Sequence, residues 1–224
     1  YKEATLEASG REKLIVNLRQ FDCFTFVESM LALARWFASG EKSPREYSRQ
    51  LKLIRYRQGV ISGYGSRLHY FTDWLNDNEK KKIIKNVTRK LGGRTRRKKI
   101  NYMTSNYRLY PALKQKKNYQ KMLIAERNLS RRNITIIEKN KVSARMKNIQ
   151  TADIIAFAPH VEGLDVAHVG FALWKGKNLY LLHASSKEGA VVISKKTLAA
   201  YLKSNKNYTA VSYTHLTLPT KRIV

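Results

Sequence analysis

Phe21-Asp22-Cys23-Phe24-Thr25-Phe26-Val27-Glu28 decides how this chain is read. The stretch holds the single cysteine and opens a strongly apolar run. From Cys23 to Ala38 the positions Cys23, Phe26, Val27, Met30, Leu31, Ala34 and Phe37 recur with period 3.6, and Phe24 and Leu33 widen the stripe. That pattern predicts a buried helix. Asp22 is an N-cap candidate, Thr25 and Glu28 offer an alternative capping box, and Ser39-Gly40 ends the run. A cysteine at a helix start has two readings. Backbone N–H groups and the helix dipole favour a thiolate there, which suits a nucleophile. A free cysteine is also commonly a small buried hydrophobe. The nucleophile reading requires a base and an orienting group from elsewhere in the chain.

Around this stretch lie 224 residues, 43% of them hydrophobic. That is enough for one domain with its own core. One cysteine excludes an internal disulfide framework and a cysteine-rich zinc site. No apolar run is long enough for a transmembrane helix. The 44 Lys+Arg against 16 Asp+Glu give a formal charge of +28. The charge is dense at Lys80-Lys81-Lys82 and from Arg94 to Lys99, and continues from Arg108 to Lys147. Such a balance suits nucleic acid, an anionic wall polymer or a substrate with free carboxylates. The plainer reading is a solvated lysine-rich surface. No zinc-finger spacing or stacking-aromatic platform accompanies the charge, so nucleic acid is not the expected partner.

Residue 1 is Tyr and nothing before Arg11 resembles a signal peptide, so the chain reads as a fragment or a mature form. At the other end, Val211 to Thr220 can be encoded by the transposon adaptor of sequencing libraries. We therefore expect a single domain over 1–210 and an adaptor-derived tail over 211–224. On that reading His215 is no site residue, and the sheet lacks its native last strand.

Between these ends, Thr5 to Leu18 reads as a helix with a short approach, and Pro44 to Ile54 as a helix. Tyr56 to Trp74 is a loop punctuated by glycines in its first half and crowded with aromatic, cationic and imidazole groups in its second. Asp77 to Leu91 and Tyr110 to Arg127 read as helices and Ile134 to Ile137 as a short strand. Residues 77–148 thus form a basic, mainly helical insertion. The last third changes character: strands over Asp153–Ala158, Ala167–Trp174, Leu179–Ser185 and Ala190–Ile193, with a hairpin turn at Lys175-Gly176-Lys177-Asn178, then a helix over Lys195–Lys203. Helices first and an antiparallel meander after them make an α+β layout.

His168 stands near the start of one meander strand and His183 near the end of the next. Reflection about the turn at Gly176 puts position 168 opposite about 183 to 185. Two such histidines can serve as base and orienter for a thiol presented by a helix packed on the sheet.

These residues resemble the NlpC-type branch of papain-like cysteine peptidases: Asp22-Cys23-x-Thr25-Phe26-Val27-Glu28 at a helix start, His168-Val169-Gly170 on a strand, then a strand ending at His183. The chain is similar to one subfamily over Asn17–Cys23, Gly63–Trp74, Gly163–Gly170 and Leu182–Ser186. The blocks keep their order from Asn17 to about Tyr201. The resemblance implies N-terminal helices packed on a C-terminal antiparallel sheet, and an N-acetylmuramoyl-L-alanine amidase that cuts the sugar-to-peptide amide of peptidoglycan fragments. It implies Cys23 as nucleophile, His168 as base and His183 as orienter. Tyr64, Arg67, His69 and Asp73 become candidates for substrate binding, with Arg67 gripping a peptide carboxylate bidentately. Asp165 is a further candidate, and Asp22 either contacts the substrate or caps the helix. No metal or cofactor is implied. The implied location is the bacterial periplasm or exterior. Phe24 departs from the small polar residue many members carry there. The alternatives are a D-Glu–diaminopimelate endopeptidase of the same superfamily, or a basic nucleic-acid- or wall-binding protein without activity.

Overall fold

Asp22 fixes the entry to the first helix. Its Oδ1 accepts from the N–H groups of Phe24 at 2.9 Å and Thr25 at 2.7 Å, while the Thr25 hydroxyl accepts from the Asp22 N–H at 3.0 Å. The box closes at Thr25, and α1 runs Cys23–Ser39. Glu28, the other box candidate, is buried against Arg55 at 2.7 Å. Gly40 stops the helix with φ +82°. Ser43 caps α2, Pro44–Arg55, whose first residue is the proline that favours a first turn.

The computed structural model describes residues 1–7 and 10–217. Next in order come α3 (Phe71–Lys80), β1 (Ile84–Asn86), β2 (Arg94–Arg97), α4 (Tyr102–Ser105), α5 (Lys116–Ser130), β3 (Asn133–Glu138) and β4 (Ile154–Pro159). The last third supplies β5 (His168–Lys175), β6 (Asn178–Ser185), β7 (Ala190–Ile193), α6 (Leu198–Ser204) and β8 (Tyr208–Leu216). The strands pair antiparallel in the order β2-β3-β8-β4-β5-β6-β7, with β1 also on β8.

Two cores cover the two faces of this sheet. Val27, Leu31, Leu51 and Trp74 of α1–α3 pack on Ile154, Ala156, Val169 and Phe171. On the other face, Ile155, Phe157, Leu181 and Val211 pack with Leu198 and Leu202 of α6. Strand β4 is buried throughout, which is why Ile154 to Ala158 is uniformly apolar instead of alternating. Burying Val27 and Leu31 completely contributes about 1.5–3 kcal/mol each. The arrangement is an α+β fold, helices against an antiparallel sheet.

Three regions differ from the sequence-based reading. Among the described residues from Thr5 to Leu18 there is no helix. Carbonyls of this stretch serve other donors instead: Arg55 Nη1 donates to Ile15 O at 2.6 Å and Tyr56 Oη to Lys13 O at 3.0 Å. Residues 77–148 are not a helical insertion. Helix α3 stops at Lys80, Lys82 turns the chain at φ +58°, and β1, β2 and β3 join the sheet. Residues 211–216 belong to β8, which lies inside the sheet between β3 and β4, so the sheet is not short of a last strand. Backbone pairing tolerates any sequence that puts apolar side chains on the buried face, and Val211 and Tyr213 do so. His215 pairs there with Asp153. Residues 218–224 of the expected tail lie outside the described residues. Among the described residues no helix is long and apolar enough to cross a membrane.

Candidate active site

Strand pairing brings the two meander histidines together. Phe171 pairs with Leu182, and from that register His168 Nε2 comes within 2.7 Å of His183 Nδ1. The rings stand at 87° with centroids 4.8 Å apart. Gly170 permits the approach. A Cβ on it would lie 2.9 Å from His183 Cβ and 2.8 Å from the Leu182 carbonyl oxygen, so any side chain there would displace β6. Tyr208 lies parallel to His168 at 6.3 Å, and Tyr201 meets His183 edge-on at 5.7 Å. Burial pushes His168 down to about 3, helped by the neighbouring His183, and pushes His183 down to about 4. Both are neutral imidazoles at neutral pH.

Cys23 is half-buried at the first position of α1. It lines a cavity of about 160 Å³ together with His168, His69, Phe24, Tyr110 and Asp165. Burial raises the thiol to about 12, and the Asp22 carboxylate adds to the rise. The backbone N–H groups of Val169, Cys23 and Phe24 work in the opposite direction. The Asp22 side chain occupies the amides of Phe24 and Thr25, while the Cys23 amide makes no hydrogen bond among the described residues. A group that took the proton from the sulfur would therefore find donors around the resulting charge. Among the described residues no cluster of three His, Cys, Asp or Glu side chains could hold a metal.

The expected binding residues divide. His69 lines the Cys23 cavity and donates Nε2–H to the Tyr64 carbonyl oxygen at 2.9 Å. Burial and then the Arg67 charge hold it well below the usual imidazole value. Asp165 also reaches the cavity, but its carboxylate is spent on backbone amides, Thr72 N at 2.6 Å and Val166 N at 2.8 Å. It ties the loop before β5 to the first turn of α3. Asp22 acts as the helix cap.

Three candidates are not free for a ligand. Arg67 is buried and bridges Glu7 at 2.7 Å and Glu12 at 3.3 Å, so its guanidinium has internal carboxylates where the sequence suggested a peptide's. Tyr64 Oη donates to Glu7 at 3.2 Å. Asp73 is held bidentately by Arg57, at 3.0 and 2.6 Å, in a different cavity. Sequence reasoning missed Tyr201 and Tyr208, the aromatic pair against the histidines, and Glu7 and Glu12. No motif marks them. Their roles come from contacts between residues distant in sequence.

Solved structures resemble this chain closely. An N-acetylmuramoyl-L-alanine amidase from Bacteroides uniformis is 37% identical, with 97% of this chain and 92% of that one covered and a TM-score of 0.91. A Bacteroides fragilis protein with a provisional xylanase label is also 37% identical, over 96% and 95% of the two chains, with a TM-score of 0.90. A Legionella pneumophila protein, 23% identical over 89% and 76% with a TM-score of 0.65, shares the fold alone. No curated protein matches. Together these likenesses define an amidase-like α+β hydrolase. The model of the AmiA-like family, described as N-acetylmuramoyl-L-alanine amidase-like, matches residues 1–210, and the chain belongs to that family.

Proposed function

We propose that the chain is a cysteine amidase of papain-like, NlpC type that hydrolyses the amide between N-acetylmuramic acid and L-alanine in peptidoglycan fragments. The observation that carries this reading is the His168–His183 hydrogen bond on the rim of the cavity that holds Cys23. With Nε2 committed to His183, His168 keeps Nδ1 for the thiol. It takes the Cys23 proton there, and the sulfur attacks the lactyl carbonyl carbon. His183 Nδ1 accepts from His168 Nε2–H, which fixes the tautomer and favours the imidazolium as it forms. The unpartnered Cys23 amide serves the oxyanion. The C–N bond then breaks, His168 returns its proton to the leaving amine of L-Ala, and water hydrolyses the thioester to free acid and thiol.

His69, with Nε2–H tied to a carbonyl, keeps Nδ1 as an acceptor for a substrate donor. The reading places the protein in the periplasm or outside the cell, where such fragments occur. Glycan cleavage fits less well. It needs a pair of carboxyl groups flanking the bond, and among the described residues the Cys23 cavity holds only Asp165, already engaged by two amides.

The test is incubation with muropeptides and mass analysis of the products. Free peptide with N-terminal L-Ala is the expected product, lost in Cys23→Ala. Cleavage between D-Glu and diaminopimelate would make the protein an endopeptidase instead. Equal products from wild type and Cys23→Ala would overturn the thiol mechanism.

A further inference from the structure

His168 is the residue common to two cavities of opposite character. On one side is the cavity of Cys23, with mainly aromatic and apolar walls and no lysine or arginine among the described residues. On the other is a larger open cavity of about 820 Å³, which His183, Tyr201 and Tyr208 also line. Its rim carries Lys187, Lys195, Lys196 and Lys206. Lys195 is engaged by Glu188 at 3.4 Å, the one carboxylate in that wall among the described residues. Lys187, Lys196 and Lys206 are exposed and pair with no carboxylate among the described residues.

The direction of the reaction gives this asymmetry a meaning. A base that must hand its proton to the leaving nitrogen has to stand on the leaving-group side of the carbonyl. The acyl half then lies toward Cys23, and the released half leads past His168 toward His183. Resting on the amidase reading above, we propose that the lysine-rimmed cavity beyond the two histidines binds the departing peptide through its carboxylates. Lys187, Lys196 and Lys206 set the preference for an acidic peptide. The cavity of Cys23, whose one acidic residue among the described lining residues, Asp165, is engaged by two backbone amides, receives the sugar side, which carries no charge once its lactyl group is an amide. Flexible lysines suit this task, since they meet carboxylates at several places along a peptide without one fixed geometry.

The experiment compares kcat/KM for N-acetylmuramoyl-L-alanyl-D-glutamate with that for the same compound with both glutamate carboxyl groups amidated. Wild type is expected to prefer the acidic form by about tenfold or more, through KM, and to lose this preference as salt rises. In the triple variant Lys187→Gln, Lys196→Gln, Lys206→Gln the ratio is expected to fall to near one. The three side chains are exposed, so the fold tolerates the change. A triple variant that keeps the wild-type ratio overturns the proposal, as does a wild type that cuts both compounds equally well. A wild type that cuts neither at the muramoyl amide refutes the amidase reading itself and takes this inference with it.

Discussion

Two imidazoles line the cavity of Cys23, and their second nitrogens separate them. His69 sits on the loop that leads into α3 and gives Nε2–H to a backbone carbonyl. A carbonyl can only accept, so the tautomer is locked, and the Arg67 charge nearby opposes any second proton. His168 opens β5 and faces an imidazole nitrogen, which can accept when His168 becomes cationic. Both rings are half-buried, and both are held below the usual imidazole value. What a cavity histidine can do is decided less by the cavity than by the partner behind it.

Substitutions can break that contrast. On the proposed mechanism His168→Asn removes the base and is expected to lower kcat on muropeptides by about 10⁴-fold or more, measured by product release. His183→Ala leaves the base without its acceptor and should cost about 10²- to 10³-fold, with partial recovery in His183→Asn, whose side-chain oxygen can take the same hydrogen bond. His69→Asn should cost only about tenfold, mostly in KM, because it removes one hydrogen-bonding group and no proton transfer. If His69→Asn proved as damaging as His168→Asn, the roles assigned to the two imidazoles would have to be exchanged.

The smallest effect is on stability. His168 and His183 sit at about 3 and about 4 in the folded chain against an ordinary 6.5, so the unfolded chain binds more protons in that interval. Their contribution is complete above about pH 6.5 and is lost as pH falls through the window. The melting temperature of wild type should decline between pH 6.5 and 4, and that of a His168→Asn, His183→Asn double variant should decline less. Parallel curves would show that the pair does not titrate with folding.

Much of the pattern behind this site is local, and local patterns were readable. The 3.6-residue period from Cys23, the Asp22 cap and the Gly176 turn that sets the β5–β6 register all lie in short stretches. Partners at long range were not readable. Arg67 has the chemistry of a carboxylate clamp, and nothing nearby in sequence says that Glu7, sixty residues away, already fills it. Asp73 and Arg57 are a similar case at sixteen residues. Strand β2 escaped for another reason. Arg94, Thr95, Arg96 and Arg97 are all exposed on the sheet edge, where charge discourages further pairing and leaves no apolar alternation to detect.

Strand β8 has a consequence for folding. Among the described strands it comes last in sequence, yet it sits in the interior of the sheet and holds β1, β3 and β4 together. Until it arrives, the edge of β4 that it will cover has no partner, and strands β2–β3 and β4–β7 form two separate pieces. Assembly of the sheet therefore closes through contacts distant in sequence, which places it among the slower folders, on the order of milliseconds to seconds or longer. Until β8 pairs, the chain carries an open apolar strand edge on β4. The formal charge of +28 makes copies repel one another, which opposes association through that edge.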